Sequence, residues 1–202
     1  VFKKIVLYES SRGIIKRKNG METDNMSNVL IVIDMQNDFV TGSLGSKMAE
    51  MIVPVVCEKI RNYKAQGSTV FMTLDTHFKD YLETPEGKKL PVEHCIKGTE
   101  GWQPVAQVAE AIGGSAEVYE KSTFGSAELA QHLAEITKAG DEIELCGLCT
   151  DICVVSNALL IKAFCPECEV IVDANARAGV TEESHKAALV TMASCQCRID
   201  NF

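Results

Sequence analysis

At 202 residues, 46% of them hydrophobic and 24% charged, the chain is long enough for one substantial core. Its net charge of -8, from 28 acidic against 20 basic residues, argues against a nucleic-acid partner, which draws on clustered Lys and Arg. No apolar run approaches the roughly 18 residues that a membrane span needs.

In chain order, residues 1–28 read as an N-terminal extension. IVLY suits a short extra strand, ESSRGIIKRKNGMETDNMSN has no sustained period, and Met21 and Met26 are candidate starts of shorter forms. The basic run Lys16-Arg17-Lys18 is accounted for by a solvated terminal segment. VFKKIVLY lacks the continuous apolar core and cleavage site of a signal peptide, so the expected compartment is cytoplasmic, where thiols stay reduced. The nine cysteines, an odd number, then need no pairing.

Residues 29–202 are expected to form a single domain in which strand and helix alternate. VLIVI (29–33) is a continuous apolar run, as for a strand covered on both faces. Met48, Met51, Ile52, Val55, Val56, Ile60 and Tyr63 recur at helical spacing, and TVFMTL (69–74) is the next strand. A polar, turn-rich segment over 75–101 follows. VAQVAEAI predicts a short helix, AEVYE a strand, and SAELAQHLAEITKA a helix ending near Gly140. EIELCG is a strand, TDICVVSNALLIKAF a helix, and EVIVDA a strand. TEESHKAALVTMASC opens on a Thr181 cap with acids behind it, and CRIDNF suits a last short strand. This rhythm predicts a three-layer α/β/α fold with a mostly parallel, doubly wound sheet of about five or six strands. Right-handed crossovers then bring the C-terminal ends of its strands to one edge.

Polar groups stand at those ends. Asp34 follows VLIVI in DMQNDF, Asp75 follows TVFMTL in DTH, Lys121 follows AEVYE, and GLCTDIC follows EIEL. In this fold Asp34, Lys121 and Cys153 can converge. Cys153 falls in the first turn of a helix, where backbone N–H groups favour an anion, and Asp34 can accept its proton while Lys121 steadies both charges. Cys149 is the poorer nucleophile, and its contribution is a backbone N–H. With the N–H of Cys153 it can face a developing oxyanion, each well-aimed donor being worth roughly 3 kcal/mol. An Asp34–Lys121 pair without a working thiol would be a structural ion pair.

DMQNDF, the isolated lysine after a mid-chain strand and the GLCTDICV turn together resemble the isochorismatase-like cysteine hydrolases over roughly residues 27–200, and within them the nicotinamidase-type amidohydrolases. The resemblance implies Asp34 as base, Lys121 as its lysine, Cys153 as nucleophile, and a cis peptide at Leu148–Cys149. It implies release of ammonia from a small carboxamide, nicotinamide first, through a thioester. It also implies a homo-oligomer.

Asp75 and His77 form a D-x-H pair, followed by Glu83, Glu86 and His94. A hard carboxylate among imidazoles suits zinc, iron or manganese, although such a pair also caps loops. The resemblance maps Asp75, His77 and His94 as ligands of a divalent metal, with Glu86 as third ligand and Glu83 in reserve. Phe39, Trp102 and Phe124 are candidate substrate-binding walls for a flat ring, or else core aromatics. Two departures from nicotinamidases are Leu90, where a bulky aromatic commonly precedes the proline, and STFGSAEL after the lysine. Rival readings are a ureide or N-carbamoyl amide hydrolase and a non-catalytic α/β binding protein. Cys165-Pro166-Glu167-Cys168 with Cys195 and Cys197 has zinc-knuckle spacing, but small core or surface thiols are the more ordinary account. His132 and His185 read as solvated or hydrogen-bonded helix residues.

Overall fold

The computed structural model describes residues 28–114 and 116–202; IVLY, Met21 and Met26 lie outside them. Strands β1 (Asn28–Ile33), β2 (Thr69–Asp75), β3 (Glu117–Lys121), β4 (Glu142–Leu148), β5 (Glu169–Ala178) and β6 (Arg198–Asp200) form one sheet in the order β3-β2-β1-β4-β5-β6. Every pairing is parallel. Helices α1 (Asn37–Val40), α2 (Lys47–Ala65) and α3 (Ala106–Ile112) cover one face. Helices α4 (Ala127–Ile136), α5 (Val155–Phe164) and α6 (Glu182–Ser194) cover the other. Among the described residues, no helix is long and apolar enough to cross a membrane.

The uninterrupted apolar run of β1 has its reason here. Leu30 and Val32 enter the core under α2, while Val29, Ile31 and Ile33 enter the core under α4–α6. A strand sandwiched this way has no polar face to alternate, and each aliphatic side chain fully buried contributes about 1.5–3 kcal/mol. Local signals then fix the helix starts. The Ser46 hydroxyl accepts the Ala49 N–H at 3.1 Å, and Ser126 accepts that of Leu129 at 3.2 Å. Thr181 caps α6 as its sequence predicts, with the Ser184 hydroxyl, rather than an acid, completing the reciprocal bond.

Three boundaries differ from expectation, and two short elements are additional. α1 and a single 3-10 turn at Tyr81–Glu83 are too short to show a period. β5 runs on to Ala178 because the ladder to β4 resumes after an irregularity between Leu145 and Gly147, pairing Gly147 with Arg177. α4 stops at Ile136 and the chain turns extended at Thr137. The helix read over 150–164 begins as a π turn, Thr150–Val154, and becomes α-helical at Val155. Single π turns of this kind occur often at functional sites.

Strand order reverses between β1 and β4, and in open parallel sheets ligands bind in the crevice beyond such a reversal. Both strands end there: β1 runs into Asp34, and β4 into the turn that carries Cys153. Gly147 makes their close approach possible. Its φ is +112°, and a Cβ placed on it would lie 2.1 Å from the Ile33 carbonyl oxygen. Gly147→Ala is therefore expected to cost at least about 3 kcal/mol, through left-handed strain and backbone collision together. A urea unfolding curve reads this as a lowered midpoint, and an unchanged midpoint would contradict the assigned approach.

Candidate active site at the switch point

Asp34, Lys121 and Cys153 stand together although they come from β1, β3 and the turn before α5. The Lys121 ammonium lies 2.7 Å from Asp34 Oδ2, 3.2 Å from Asp75 Oδ1 and 3.5 Å from Cys153 Sγ. All four residues are buried. Register explains part of this, since Asp75 and Lys121 are paired positions on β2 and β3. Asp34 takes a positive φ of 46° as the chain leaves β1, and its other oxygen, Oδ1, accepts the Thr73 hydroxyl at 2.6 Å. Oδ2 makes no well-angled hydrogen bond despite its ionic contact with Lys121, which leaves it a lone pair.

Electrostatics follow from burial and from these neighbours. Burial pushes the Asp34 carboxyl above the ordinary carboxylate range; Lys121 opposes the rise and Asp75 adds to it. Burial likewise pushes the Cys153 thiol well up, with the Asp34 charge adding and Lys121 opposing. Lys121 is held charged despite its burial, because Asp34, Cys153 and Asp75 outweigh the desolvation. Burial at the sulfur thus opposes the pull toward an anion that the helix start exerts. Cys149 is also pushed up, to about 12, by burial and the charge of Asp151.

A cavity of about 760 Å³ opens beside Cys153. Phe39, Leu90, Phe124, Leu148 and Ile152 contribute its apolar walls, and Cys149 also borders it. Of the three aromatic walls expected, Phe39 and Phe124 take that place. Trp102 does not: its indole N–H donates to the Thr76 hydroxyl at 2.9 Å and its ring packs against the core under α2. A half-buried indole whose N–H finds a partner this way serves packing.

Asp75, His77 and His94 place one ligand atom each within 4.8 Å of one another. His77 Nε2 lies 3.0 Å and His94 Nε2 3.6 Å from Asp75 Oδ2, and Glu86 Oε1 is 3.9 Å from both rings. His94 Nδ1 meets the Val92 carbonyl at 2.8 Å, a contact that turns Nε2 toward the group. His77 Nε2 is buried without a hydrogen bond, an orphan that a cation would satisfy. Burial works against a proton on His94, but its bonds to Asp75 and Val92 outweigh that and draw positive charge to the ring. The donor set therefore fits a divalent ion. Glu83 is exposed on the 3-10 turn. Among the described residues this is where metal-capable side chains gather; Cys165 and Cys168 touch each other and Thr137 instead.

Three supporting residues complete the site; Gln36 lies within DMQNDF, while Asn157 carries no sequence signal of its own. Gln36 donates to the carbonyls of Asp75 and Trp102 at 2.9 and 2.8 Å, and accepts the Asp75 N–H at 2.7 Å. Thr73 shares a face of β2 with Asp75, so a polar residue two places before a strand-end acid was the available clue. Asn157, buried on α5, accepts the Ser126 N–H at 2.9 Å and donates to the carbonyls of Cys153 at 2.8 Å and Phe124 at 3.1 Å. It ties the lysine's loop to the cysteine's turn. The expected cis peptide at Leu148–Cys149 is present, and the Cys149 carbonyl accepts the N–H groups of Ile152 and Val154.

A family model described as the isochorismatase domain matches residues 28–199. The chain belongs to the isochorismatase family. It is 32% identical over 179 residues to the isochorismatase family protein PncA of Bacillus subtilis (strain 168), covering 81% of this chain and 93% of that protein. Among solved structures, the nicotinamidase/pyrazinamidase PncA from Bacillus subtilis superposes with a TM-score of 0.76 at 28% identity, covering 87% of this chain and all 100% of that one. The pyrazinamidase of Pyrococcus horikoshii in complex with zinc gives 0.73 at 29% identity, with 87% and 99% covered. The isochorismatase-family chain is thus a hydrolase of this superfamily.

Removing the Asn157 side chain takes a partner from the buried Ser126 N–H and Cys153 carbonyl and from the carbonyl of the exposed Phe124. Asn157→Ala is expected to cost about 2–4 kcal/mol, at 1–3 kcal/mol for each group that water cannot reach. Thermal unfolding followed by circular dichroism measures it; a loss below half a kcal/mol would show the tie to be dispensable.

Proposed function

We propose that this isochorismatase-family hydrolase is a cysteine-dependent amidohydrolase that releases ammonia from a small carboxamide, with nicotinamide as the first substrate to test. The observation that carries the reading is the buried ammonium of Lys121 within 2.7 Å of Asp34 and 3.5 Å of the Cys153 sulfur, beside a cavity. The walls at Phe39, Phe124 and Leu90 suit a flat ring, and the nicotinamidase and pyrazinamidase relatives support an aromatic amide. Among the described residues no arginine borders the cavity, but Ser46, Glu86, Lys89, Ser122 and Thr123 do, so ureide and N-carbamoyl substrates stay in the comparison.

The chemistry proceeds from the resting thiol. Asp34 accepts the Cys153 proton as sulfur adds to the amide carbonyl, and Lys121 steadies the negative charge that moves between carboxylate and sulfur. The N–H groups of Cys149 and Cys153 receive the oxyanion. Asp34 returns its proton to the leaving nitrogen, the C–N bond breaks, and ammonia departs from a Cys153 thioester. Water then attacks with Asp34 as base, the C–S bond breaks, and the acid leaves as the thiol is restored.

Asp75, His77 and His94, with Glu86 as a further oxygen donor, would hold a divalent ion of zinc, iron or manganese. When bound, it supplies Lewis-acid charge at the cavity wall, where a ring nitrogen can ligate it.

Cys153→Ala and Asp34→Asn are each expected to lower ammonia release from nicotinamide by at least about 10³-fold, the scale of losing a nucleophile or its base. The assay runs beside pyrazinamide and N-carbamoyl substrates. Undiminished turnover by Cys153→Ala would remove the mechanism, and turnover of the carbamoyl compounds alone would move the substrate assignment to them. Elemental analysis of the purified protein is expected to find about one equivalent of metal per chain, lost in His94→Ala. Equal metal in both proteins would locate the ion elsewhere.

A further inference from the structure

We infer that His185 is a positioning residue for the nucleophile's turn, holding it against the junction of β5 and α6. This inference rests on the reading of Cys153 as nucleophile. His185 belongs to none of the motifs that carry the family resemblance, and nothing in the proposed chemistry uses it.

The turn from Cys149 to Val154 carries both the sulfur and the backbone N–H groups assigned to the oxyanion. It is closed from within by two bonds to the Cys149 carbonyl, and held on one side by Asn157. On the other side, two successive side chains reach out of it. The Thr150 hydroxyl, fully buried, meets His185 Nδ1 at 2.8 Å. The Asp151 carboxylate accepts the Val180 N–H at 3.0 Å. Gly179 marks how closely the elements approach: a Cβ there would lie 2.8 Å from His185 Cβ and 3.0 Å from Asp151 Oδ1. Gly179 and Val180 also border the cavity, so the segment that holds the turn is itself a cavity wall.

The chemistry of the contact suits a fixed strut. Burial and the charge of Arg177 hold His185 below its ordinary range, so the ring is neutral near pH 7 and Nδ1 can take the Thr150 hydroxyl. A threonine in extended or turn backbone otherwise turns its hydroxyl toward nearby main chain. With Nδ1 in place the hydroxyl is committed outward, and the peptide units on either side of Thr150 keep their direction. Those units lead from the Cys149 N–H to the Cys153 N–H. An error of an ångström in such groups can cost about a hundredfold in rate.

The test compares His185→Ala, His185→Asn and Thr150→Val in the full chain. Asparagine carries a polar atom at the same number of bonds from Cβ as Nδ1, and valine removes the Thr150 hydroxyl while keeping its shape. Two quantities are read: kcat and KM for ammonia release, and the rate of Cys153 alkylation by iodoacetamide, mapped by mass spectrometry. His185→Ala and Thr150→Val are each expected to lower kcat and the Cys153 alkylation rate at least about tenfold, with KM within about threefold. His185→Asn is expected to recover most of the loss, and the double variant His185→Ala/Thr150→Val to lose no more than either single one. Normal Cys153 reactivity in Thr150→Val overturns the inference even where His185→Ala fails to fold. A loss that asparagine leaves unrepaired also overturns it, because ring packing alone then accounts for the effect. The two readings fail separately: wild-type protein inert toward every amide removes the substrate proposal, while the alkylation rates still decide the role of His185.

Discussion

An ammonium buried between two carboxylates and a sulfur is the constraint around which the rest of this molecule is arranged. Moving such an ion out of water costs several kcal/mol, and Lys121 stays charged only because Asp34 and Asp75 lie 2.7 and 3.2 Å away. The dependence is mutual. Two buried carboxylates this close would drive one another toward protonation without the cation, as the opposed pulls on Asp34 already show. Asp75 also faces the imidazoles of His77 and His94, so one charge network runs from the sulfur to the candidate metal ligands. The sequence presents these as two constellations; in the fold they share a carboxylate.

Much of this was legible because parallel α/β folds put chemistry at strand ends. A continuous apolar run followed at once by Asp34, Asp75 or Lys121 is a readable signal, and so was the alternation that set the sheet. The supporting bonds were not readable for a physical reason. Gln36, Asn157 and His185 act by reaching main chain or a hydroxyl far away in sequence, and such contacts leave no period and no spacing. Trp102, readable as a cavity wall or as a core aromatic, takes the second place because its N–H finds Thr76. At Cys153 the local signal is incomplete for another reason. A helix start favours an anion, but burial beside two carboxylates outweighs that local field, and only the assembled site reveals the balance.

The turn that carries Cys153 is accordingly over-determined. It is bonded within itself, tied by Asn157 to the loop after Lys121, and tied through Thr150 and Asp151 to the start of α6. These ties come from three separate crossovers, so the geometry of one sulfur draws on packing across the whole α4–α6 layer. The cavity walls draw on both kinds of segment: Leu148, Ile152 and Gly179 belong to the tied turn and its partner, while the exposed side chains of Leu90 and Phe124 stand outside it.

The pairing of Asp75 with Lys121 across β2 and β3 has one more consequence. The long connection between those strands can lengthen or shorten without disturbing it, because the ladder alone sets which residues stand side by side. Inside β3 there is no such latitude. Losing a single residue between Glu117 and Tyr119 would turn the lysine's side chain through the sheet to the opposite face, into the exposed position that Glu120 holds. Inherited length variation should therefore collect in the loop and spare five consecutive positions of an edge strand whose own core contribution is small.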